Sequence, residues 1–224
     1  LYFQFLTGVT FSYNFNGGSN TNQTTSGGNS IQTLTVTNTL GSNTLNLNYV
    51  SGSGVYIIGV EAYNSATKNV SVLNAGWSGG QSSDLSSGQY SGLSNTFAFG
   101  QDLTTICMGI NDWGTGVSTP LATYSSNLQT AITNCKTQGD VVLIAPVPSN
   151  PATQAAQTVQ DSYIAVLRGL AVSNSIPLID IYGRWQNYTV SNALSFYKAA
   201  DNLRPSLNGY FDQARCLTSI LTNI

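Results

Sequence analysis

The chain has 224 residues, enough for one sizeable domain or for a domain that carries a subdomain. Only 7% of the residues are Asp, Glu, Lys or Arg and the net charge is −2, so the sequence lacks the basic stripe that a nucleic-acid partner requires. No apolar run approaches the length of about 20 residues that crosses a bilayer, and neither a membrane partner nor a signal peptide is predicted.

Residues 5–69 have the pattern of a β-rich subdomain. Short alternating runs are separated by clusters of Gly, Ser and Asn, and the stretch 16–30 is predicted to be a long loop. Residues 1–4, Leu-Tyr-Phe-Gln, match the end of a common tag-removal protease site; we treat them as a tag remnant and leave them out of the functional interpretation. The predicted strands are 9–13, 34–37, 45–50 and 55–60.

From about residue 70 the pattern alternates between strands and helices. This order predicts an α/β fold with a parallel sheet covered on both faces, that is, a three-layer α/β/α sandwich over residues 70–224. Thr119 is placed to cap a helix that starts at Pro120 and carries an apolar stripe as far as Cys135. Two more helices are predicted around 159–170 and 210–221. The predicted strands are 70–74, 103–108, 141–145 and 176–181.

Three segments follow predicted strands or precede the last helix, positions where parallel sheets place ligand sites. In the first, residues 74–80, a glycine lets a backbone N–H approach a ligand oxygen, although most Gly clusters of this kind are only turns. In the second, Gly109-Ile110-Asn111-Asp112, the Asn side chain is suited to donate to a developing oxyanion, or else Asn and Asp satisfy a turn. The third, residues 201–210, has the sequence Asp-Asn-Leu-Arg-Pro-Ser-Leu-Asn-Gly-Tyr.

Together these segments resemble the sequence blocks of the SGNH, or GDSL-like, esterase family. Gly79 matches the backbone oxyanion donor, residues 109–112 the Gly-x-Asn-Asp block, and residues 201–205 the Asp-x-x-His-Pro block. The likeness covers roughly residues 55–224, and the β-rich part resembles a subdomain that some phage-tail and extracellular members carry. The resemblance implies Ser-His-Asp ester hydrolysis, with Gly79 and Asn111 binding the oxyanion and Asp201 as the acid.

Two departures from the family pattern concern the catalytic groups themselves. No Gly-Asp-Ser block, which supplies the family's nucleophile, occurs in the sequence, and Arg204 stands at the position of the family's His. The chain contains no histidine at all, and a guanidinium does not accept the serine proton. We therefore predict that this polypeptide does not perform Ser-His-Asp chemistry by itself. Arg204 either pairs with Asp201 or faces the cleft and binds a carboxylate.

The remaining candidate residues are aromatic or sulfur-containing. Trp77 and Trp113 flank the first two segments and either stack on sugar faces or pack at the rim. The cysteines, which lack motif spacing, are interpreted mainly as buried small hydrophobes, and no metal or other cofactor is expected. They are Cys107, Cys135 and Cys216.

Two functional hypotheses remain. The first is a non-catalytic SGNH-like module of an extracellular or virion protein, such as a phage tail protein, that binds glycan or serves a structural or adhesive role. The uncharged polar composition of the chain is common in such proteins. Under this hypothesis the chain would act within a homo-oligomer or a virion. The alternative is a carbohydrate esterase, most plausibly an O-deacetylase acting on a polysaccharide, whose nucleophile block lies outside this chain. Glycoside hydrolysis by paired carboxylates is remote, because Glu61 is the sole Glu.

Overall fold

The chain folds into two compact units, Leu1–Asn74 and Ala75–Ile224, in a computed structural model. The structure describes residues 2–5, 8–25, 31–67, 70–76, 78–86, 100–114, 118–199 and 203–221. The division between the units falls shortly after the change of sequence pattern near residue 70. Each unit has its own sheets and its own core.

The first unit contains two antiparallel sheets of three strands each. In one, β1 (Tyr2–Phe5) lies between β4 (Ile31–Thr33) and β6 (Val55–Gly59). In the other, β2 (Thr10–Phe15) lies between β3 (Thr21–Thr24) and β5 (Leu45–Ser51). Val9 and Phe11 are buried, and Leu34, Leu47 and Val55 pack against them.

Three expectations for this unit need correction or addition. The predicted loop 16–30 contains β3, which forms because Thr10 pairs with Thr24 across the strands and their hydroxyls lie 2.9 Å apart. This pairing overrides the weak strand propensity of Asn and Gln. Residues 34–37 are not a strand; Leu34 packs into the core immediately after β4 instead. The tag-like residues Tyr2–Phe5 form β1, which is paired on both sides.

The second unit is built on a parallel sheet, as the sequence pattern predicts. Its strands are β7 (Leu103–Ile106), β8 (Asp140–Ala145) and β9 (Leu178–Asp180), in that spatial order. Leu103 pairs with Asp140, and Leu143 pairs with Leu178, both in parallel register. Among the described strands, β7 therefore forms one edge of this sheet.

The helices of the second unit cover both faces of the sheet. Successive residues of β8 point to opposite faces. Leu143 packs with Leu128 and Leu167 on one face, and Val142 packs with Trp185 and Leu217 on the other. None of the described helices is long and apolar enough to cross a membrane. The helices are α1 (Ser82–Ser86), α2 (Leu121–Cys135), α3 (Gln157–Asn174), α4 (Ile181–Trp185), α5 (Tyr188–Ala193) and α6 (Leu207–Leu221).

The predicted strand 70–74 is absent. Residues 70–76 have no regular structure, and Val70 and Val72 are 94% and 87% exposed. A strand needs a neighbour for its backbone N–H and C=O groups, and no strand of the described residues pairs with this segment. The alternating apolar residues of this segment therefore do not form a strand or enter a core.

The start of α2 also differs from its prediction. Its N-cap is Pro120, not Thr119, and no side chain caps the helix. Thr119 instead lies buried, where its carbonyl oxygen accepts a hydrogen bond from the Tyr163 hydroxyl and its N–H donates to the Asp112 carbonyl oxygen at 2.8 Å. This arrangement ties the start of α2 to the loop after β7.

Candidate functional site

The loop after β7 is a tight turn built on Gly109. The backbone N–H groups of Asp112 and Trp113 both donate to the Gly109 carbonyl oxygen, at 2.9 and 3.0 Å. Gly109 has a φ of 141°, and a Cβ placed there would lie 2.8 Å from Cζ3 of Trp113. Only glycine fits this position, and the turn fixes the direction of Asn111 at the carboxyl end of the sheet.

The Gly79 segment and Asn111 lie side by side. Nδ2 of Asn111 donates to the carbonyl oxygen of Gly80 at 2.9 Å, and Nε2 of Gln81 donates to the carbonyl oxygen of Asn111 at 2.9 Å. Gly79 itself has a φ of 82°, in the left-handed region. Two reciprocal hydrogen bonds thus hold together two segments that are 31 positions apart. We call this arrangement the Gly80–Asn111 corner.

Asp112 is buried beneath the corner and holds the start of α1. Its carboxylate accepts hydrogen bonds from the Ser82 N–H at 3.0 Å and from the Ser82 hydroxyl at 2.6 Å. Burial raises the pKa of Asp112, and the hydrogen bonds from Ser82 oppose that rise. The Asp112 side chain therefore reaches a distant segment, although the backbone of residues 109–113 does form a local turn.

Ser82 is a contributor that the sequence patterns did not single out. It is fully buried, and its hydroxyl oxygen, which donates to Asp112, also accepts from Nδ2 of Asn127 at 3.2 Å. A hydroxyl committed in this way supports the loop and does not face a ligand. Nothing in the spacing of Ser82 and Asp112 signals this contact in the sequence.

Of the two alternatives for Trp113, stacking on a sugar or packing, its position in the structure fits packing. Trp113 is 1% exposed, so neither face of its ring is open to a ligand. Its Nε1 donates to the Ser149 hydroxyl at 3.1 Å, and its ring lies edge-on to those of Tyr163 and Tyr182. Trp113 is thus a core residue that lies against Gly109, beneath the corner. Trp77, the other stacking candidate, lies outside the described residues and stays a prediction.

The third segment is docked on the loop that follows β8. The Lys198 N–H donates to the Arg204 carbonyl oxygen at 2.9 Å, and Tyr197 and Pro205 form an antiparallel bridge. The Tyr197 hydroxyl donates to the Pro148 carbonyl oxygen, next to the Ser149 that holds Trp113. This chain of contacts places the segment at the same end of the sheet as the corner. The side chain of Arg204 is exposed, and its pairing with Asp201 stays a prediction because Asp201 lies outside the described residues.

Among the described residues of the second unit, two ion pairs hold helices in place. Arg168 pairs with Asp180 at 2.7 Å, and Arg184 pairs with Asp212 at 2.6 Å, which ties α4 to α6. Asp212 also accepts from the Trp185 indole N–H at 2.9 Å. The hydrogen bond from Arg184 lowers the pKa of Asp212. These charges stabilise the scaffold around the third segment.

The cysteines differ from one another in burial. Cys135 is buried, and burial raises its pKa to about 11. Cys216 is half-buried. The Cys107 side chain reaches solvent, yet the protein around it desolvates the thiol and raises its pKa to about 11. No group of three metal-ligating side chains occurs within the part of the chain that the structure describes.

The corner suits one kind of chemistry. An Asn amide carries two N–H donors, of which one is used on the Gly80 carbonyl oxygen. The other, together with backbone N–H groups of the Gly79 segment, is suited to bind a carbonyl oxygen or an oxyanion. A nucleophile and a base would also be needed to cleave an ester, and the sequence has no histidine to act as that base.

Several solved structures share the fold, among them those of a lipase/acylhydrolase and an acetyl xylan esterase. A lipase/acylhydrolase from Enterococcus faecalis matches with a TM-score of 0.54 and 22% identity, covering 65% of this chain and 72% of that one. The acetyl xylan esterase AlAXEase matches with a TM-score of 0.53 and 19% identity, covering 63% of this chain and 76% of that one. A protein from Bacillus subtilis matches over 99% of this chain and 77% of its own, with a TM-score of 0.53 and 17% identity.

No protein of curated function matches the sequence significantly. The sequence profile of the GDSL-like Lipase/Acylhydrolase family, however, matches residues 59–210. That range includes the whole Gly80–Asn111 corner and the segment that carries Arg204, and it spans more than half of the chain. The chain therefore belongs to the GDSL-like lipase/acylhydrolase family.

Proposed function

We propose that this domain binds the acyl ester group of an esterified carbohydrate at the Gly80–Asn111 corner, and that residues 1–224 by themselves do not hydrolyse it. The single observation that carries the proposal is the combination of an ordered oxyanion-type corner with a sequence that has no histidine. The corner supports binding of the ester, and the missing histidine is the reason that we expect no hydrolysis.

The binding half of the proposal rests on preorganisation. Asn111 is held by hydrogen bonds on both its side chain and its backbone, and the buried Asp112 next to it is anchored to Ser82. Donors that are fixed before a ligand arrives bind a carbonyl oxygen without a further cost of ordering. Asn111 is also exposed, so a ligand has access to it.

The catalytic half rests on the residue at the position of the family's base. Arg204 stands there, and an arginine side chain has hydrogen-bond donors but no acceptor for a proton. Ser82, the serine beneath the corner, is fully buried and bonded to Asp112. Neither residue serves as half of a nucleophile and base pair.

The ligand class is the finer part of the proposal. The solved neighbours include an enzyme named for acetyl xylan, and the low charge of this chain suits a neutral polysaccharide better than an ionic ligand. We extend the proposal to an extracellular or virion-surface setting on the basis of the same uncharged, polar composition.

A second candidate function is a carbohydrate esterase that is completed by residues outside this chain. The observation that favours it is that β7 lies at the edge of the parallel sheet among the described strands, with Thr105 exposed there. In that case the corner would serve catalysis and not binding alone.

The test is a titration of the purified chain with acetylated xylo-oligosaccharide, followed by NMR of the side-chain amide of Asn111 and by calorimetry. The deacetylated oligosaccharide and sodium acetate are the two comparison ligands. We expect saturable binding of the acetylated sugar, weaker binding of the deacetylated one, and no release of acetate. Equal binding of both sugars would contradict the assignment of the corner to the acyl group.

A further inference from the structure

The first turns of α6 carry an apolar stripe that is exposed. Leu207, Tyr210, Phe211 and Ala214 are spaced so that they share one face of a helix. Such a stripe usually faces the core of a protein. Here Leu207 is 70% exposed, Tyr210 51% and Phe211 62%, and Ala214 is exposed as well. The stripe therefore needs an explanation other than core packing.

The opposite face of α6 explains why the stripe points outward. Gly209 is buried, and a Cβ there would meet the carbonyl oxygen of Phe196 and lie 3.0 Å from Cη2 of Trp185. Asp212, whose side chain is 12% exposed, pairs with Arg184 and accepts from the Trp185 indole N–H. These contacts fix the rotation of α6 about its axis. The inner face is thus formed by a glycine and a paired carboxylate, and the aromatic rings lie on the outer face.

The exposed stripe begins at the same end of the parallel sheet as the Gly80–Asn111 corner. α6 starts directly after the third segment, which is docked on the loop after β8 through Tyr197. Side chains of a helix lean toward its N-terminus, so the rings of Tyr210 and Phe211 lean toward this end of the sheet. Asn208, also exposed, lies three residues before Phe211 and on the same side of the helix. We call Leu207, Asn208, Tyr210 and Phe211 the α6 platform.

The size of the α6 platform favours a small or chain-like ligand over a protein. With Leu207, Tyr210 and Phe211 exposed by 51–70%, it offers on the order of 400 Å² of apolar surface. Functional patches on monomers measure about 300–600 Å². Each partner of a stable protein complex buries about 800 Å², twice what the platform provides.

The chemistry of the α6 platform suits sugar rings. A sugar ring has an apolar face of C–H groups and an edge of hydroxyl groups. The rings of Tyr210 and Phe211 provide apolar area for the face, and the amide of Asn208 provides donors and an acceptor for the hydroxyl groups. None of the four platform side chains is charged. A neutral polysaccharide therefore fits better than an ionic ligand.

We propose that the α6 platform is a second carbohydrate subsite, where the sugar rings of a neutral polysaccharide backbone stack on Tyr210 and Phe211. The ester-bearing sugar of the same polysaccharide occupies the Gly80–Asn111 corner. This inference rests on the proposed function for its class of ligand. It adds a contact that depends on the length of the sugar chain and not on the acyl group.

The test is a titration of the full 224-residue chain with xylo-oligosaccharides that carry no ester, from xylobiose to xylohexaose, by calorimetry and NMR. We expect xylohexaose to bind at least about fivefold more tightly than xylobiose. Tyr210→Ala and Phe211→Ala should each weaken the binding of xylohexaose by about fivefold or more. Tyr210→Phe should keep most of the affinity, because the aromatic ring is the part that stacks. No detectable binding of xylohexaose at millimolar concentration would overturn the proposal.

A matched control distinguishes the platform from exposed aromatic residues in general. Tyr63, in the first unit, is 63% exposed, and Tyr63→Ala should leave the binding of xylohexaose unchanged. Circular dichroism of all variants checks that they fold. Equal losses in Tyr63→Ala and Tyr210→Ala, or no loss in Tyr210→Ala and Phe211→Ala, would contradict a subsite on α6.

Two further measurements test whether another occupant covers the platform. A soluble paramagnetic agent should broaden the ring signals of Tyr210 and Phe211 in the free chain; rings that it does not reach would mean that the chain covers them itself, which overturns the proposal. A dimer in sedimentation that Phe211→Ala dissociates would assign the platform to a second copy, which also overturns it.

The subsite and the proposed function fail separately. Loss of xylohexaose binding in Tyr210→Ala supports the subsite even if acetylated and deacetylated sugars bind the unmodified chain equally, which contradicts the role of the corner. Conversely, a preference for the acetylated sugar that persists without any effect of Tyr210→Ala or Phe211→Ala keeps the proposed function and overturns the subsite.

Discussion

The side-chain amide of Asn111 donates to the carbonyl oxygen of Gly80 at 2.9 Å, and this bond joins two segments that are 31 positions apart. Asn111→Ala removes it and leaves the Gly80 carbonyl oxygen to solvent. We expect a loss of stability of about 1 kcal/mol and about tenfold weaker binding of acetylated oligosaccharide. Calorimetry and thermal unfolding measure the two effects. Asn134→Ala, at an exposed position of α2, is the control and should change neither; equal effects in the two variants would contradict the role of Asn111.

The buried pair of Asp112 and Ser82 should govern the stability of the corner. Asp112→Asn turns an acceptor of two hydrogen bonds from Ser82 into a partial donor, and we expect it to cost about 2–3 kcal/mol in the free energy of unfolding. Ser82→Ala should cost less, and the double variant should be non-additive because the two side chains share a bond. Urea unfolding measures all three. Ser126→Ala, exposed on α2, should be neutral, and additive losses would contradict the coupling.

Substitution by alanine should have opposite effects on stability at Gly109 and at Gly169. A Cβ at Gly109 meets Trp113 at 2.8 Å in a backbone conformation with a φ of 141°, so Gly109→Ala should destabilise by about 2 kcal/mol or more. Gly169 lies within α3 with nothing within 4 Å of a new Cβ, so Gly169→Ala should stabilise by about 0.5–1 kcal/mol. Denaturant unfolding measures both, and a neutral Gly109→Ala would mean that the turn is not tightly packed on Trp113.

The contribution of Asp212 should depend on pH. Its pKa is lowered from 3.8 mainly by the hydrogen bond from Arg184, so its contribution is present above pH 4 and is lost as the pH falls below 3.8 through the lowered pKa of the folded state. Asp212→Asn should therefore destabilise by about 1–2 kcal/mol at pH 7, and the gap from the unmodified chain should shrink as the pH falls from 4 to 2. Thermal unfolding over that range tests this; a gap independent of pH would rule out the charge as its cause.

The second unit could be predicted because local periodicity and burial agree there. The apolar stripe from Leu121 to Cys135 predicts α2, and its members other than Leu121 are buried. The run Val141 to Ala145 predicts β8, which is indeed parallel to β7. The family resemblance drawn from the three segments together is confirmed by the sequence profile.

The misses have a common physical origin, which is partners that are distant in sequence. Residues 70–74 have strand periodicity but no described strand to pair with, and β3 has poor propensity but pairs with β2. The sequence does not reveal the contacts of Trp113 and Ser82, because their partners, Ser149 and Asp112, lie 36 and 30 positions away.

The central claim is that this polypeptide carries the ester-binding corner without the means to cleave an ester. It is tested most directly by the hydrolysis of p-nitrophenyl acetate by the unmodified chain and by Arg204→His, each at increasing protein concentration. We predict no saturable hydrolysis above background for either protein, because Arg204→His restores a base but no nucleophile stands beside it. Saturable hydrolysis that rises in proportion to the concentration of the unmodified chain would contradict the account, since it would require a catalytic set other than the family's.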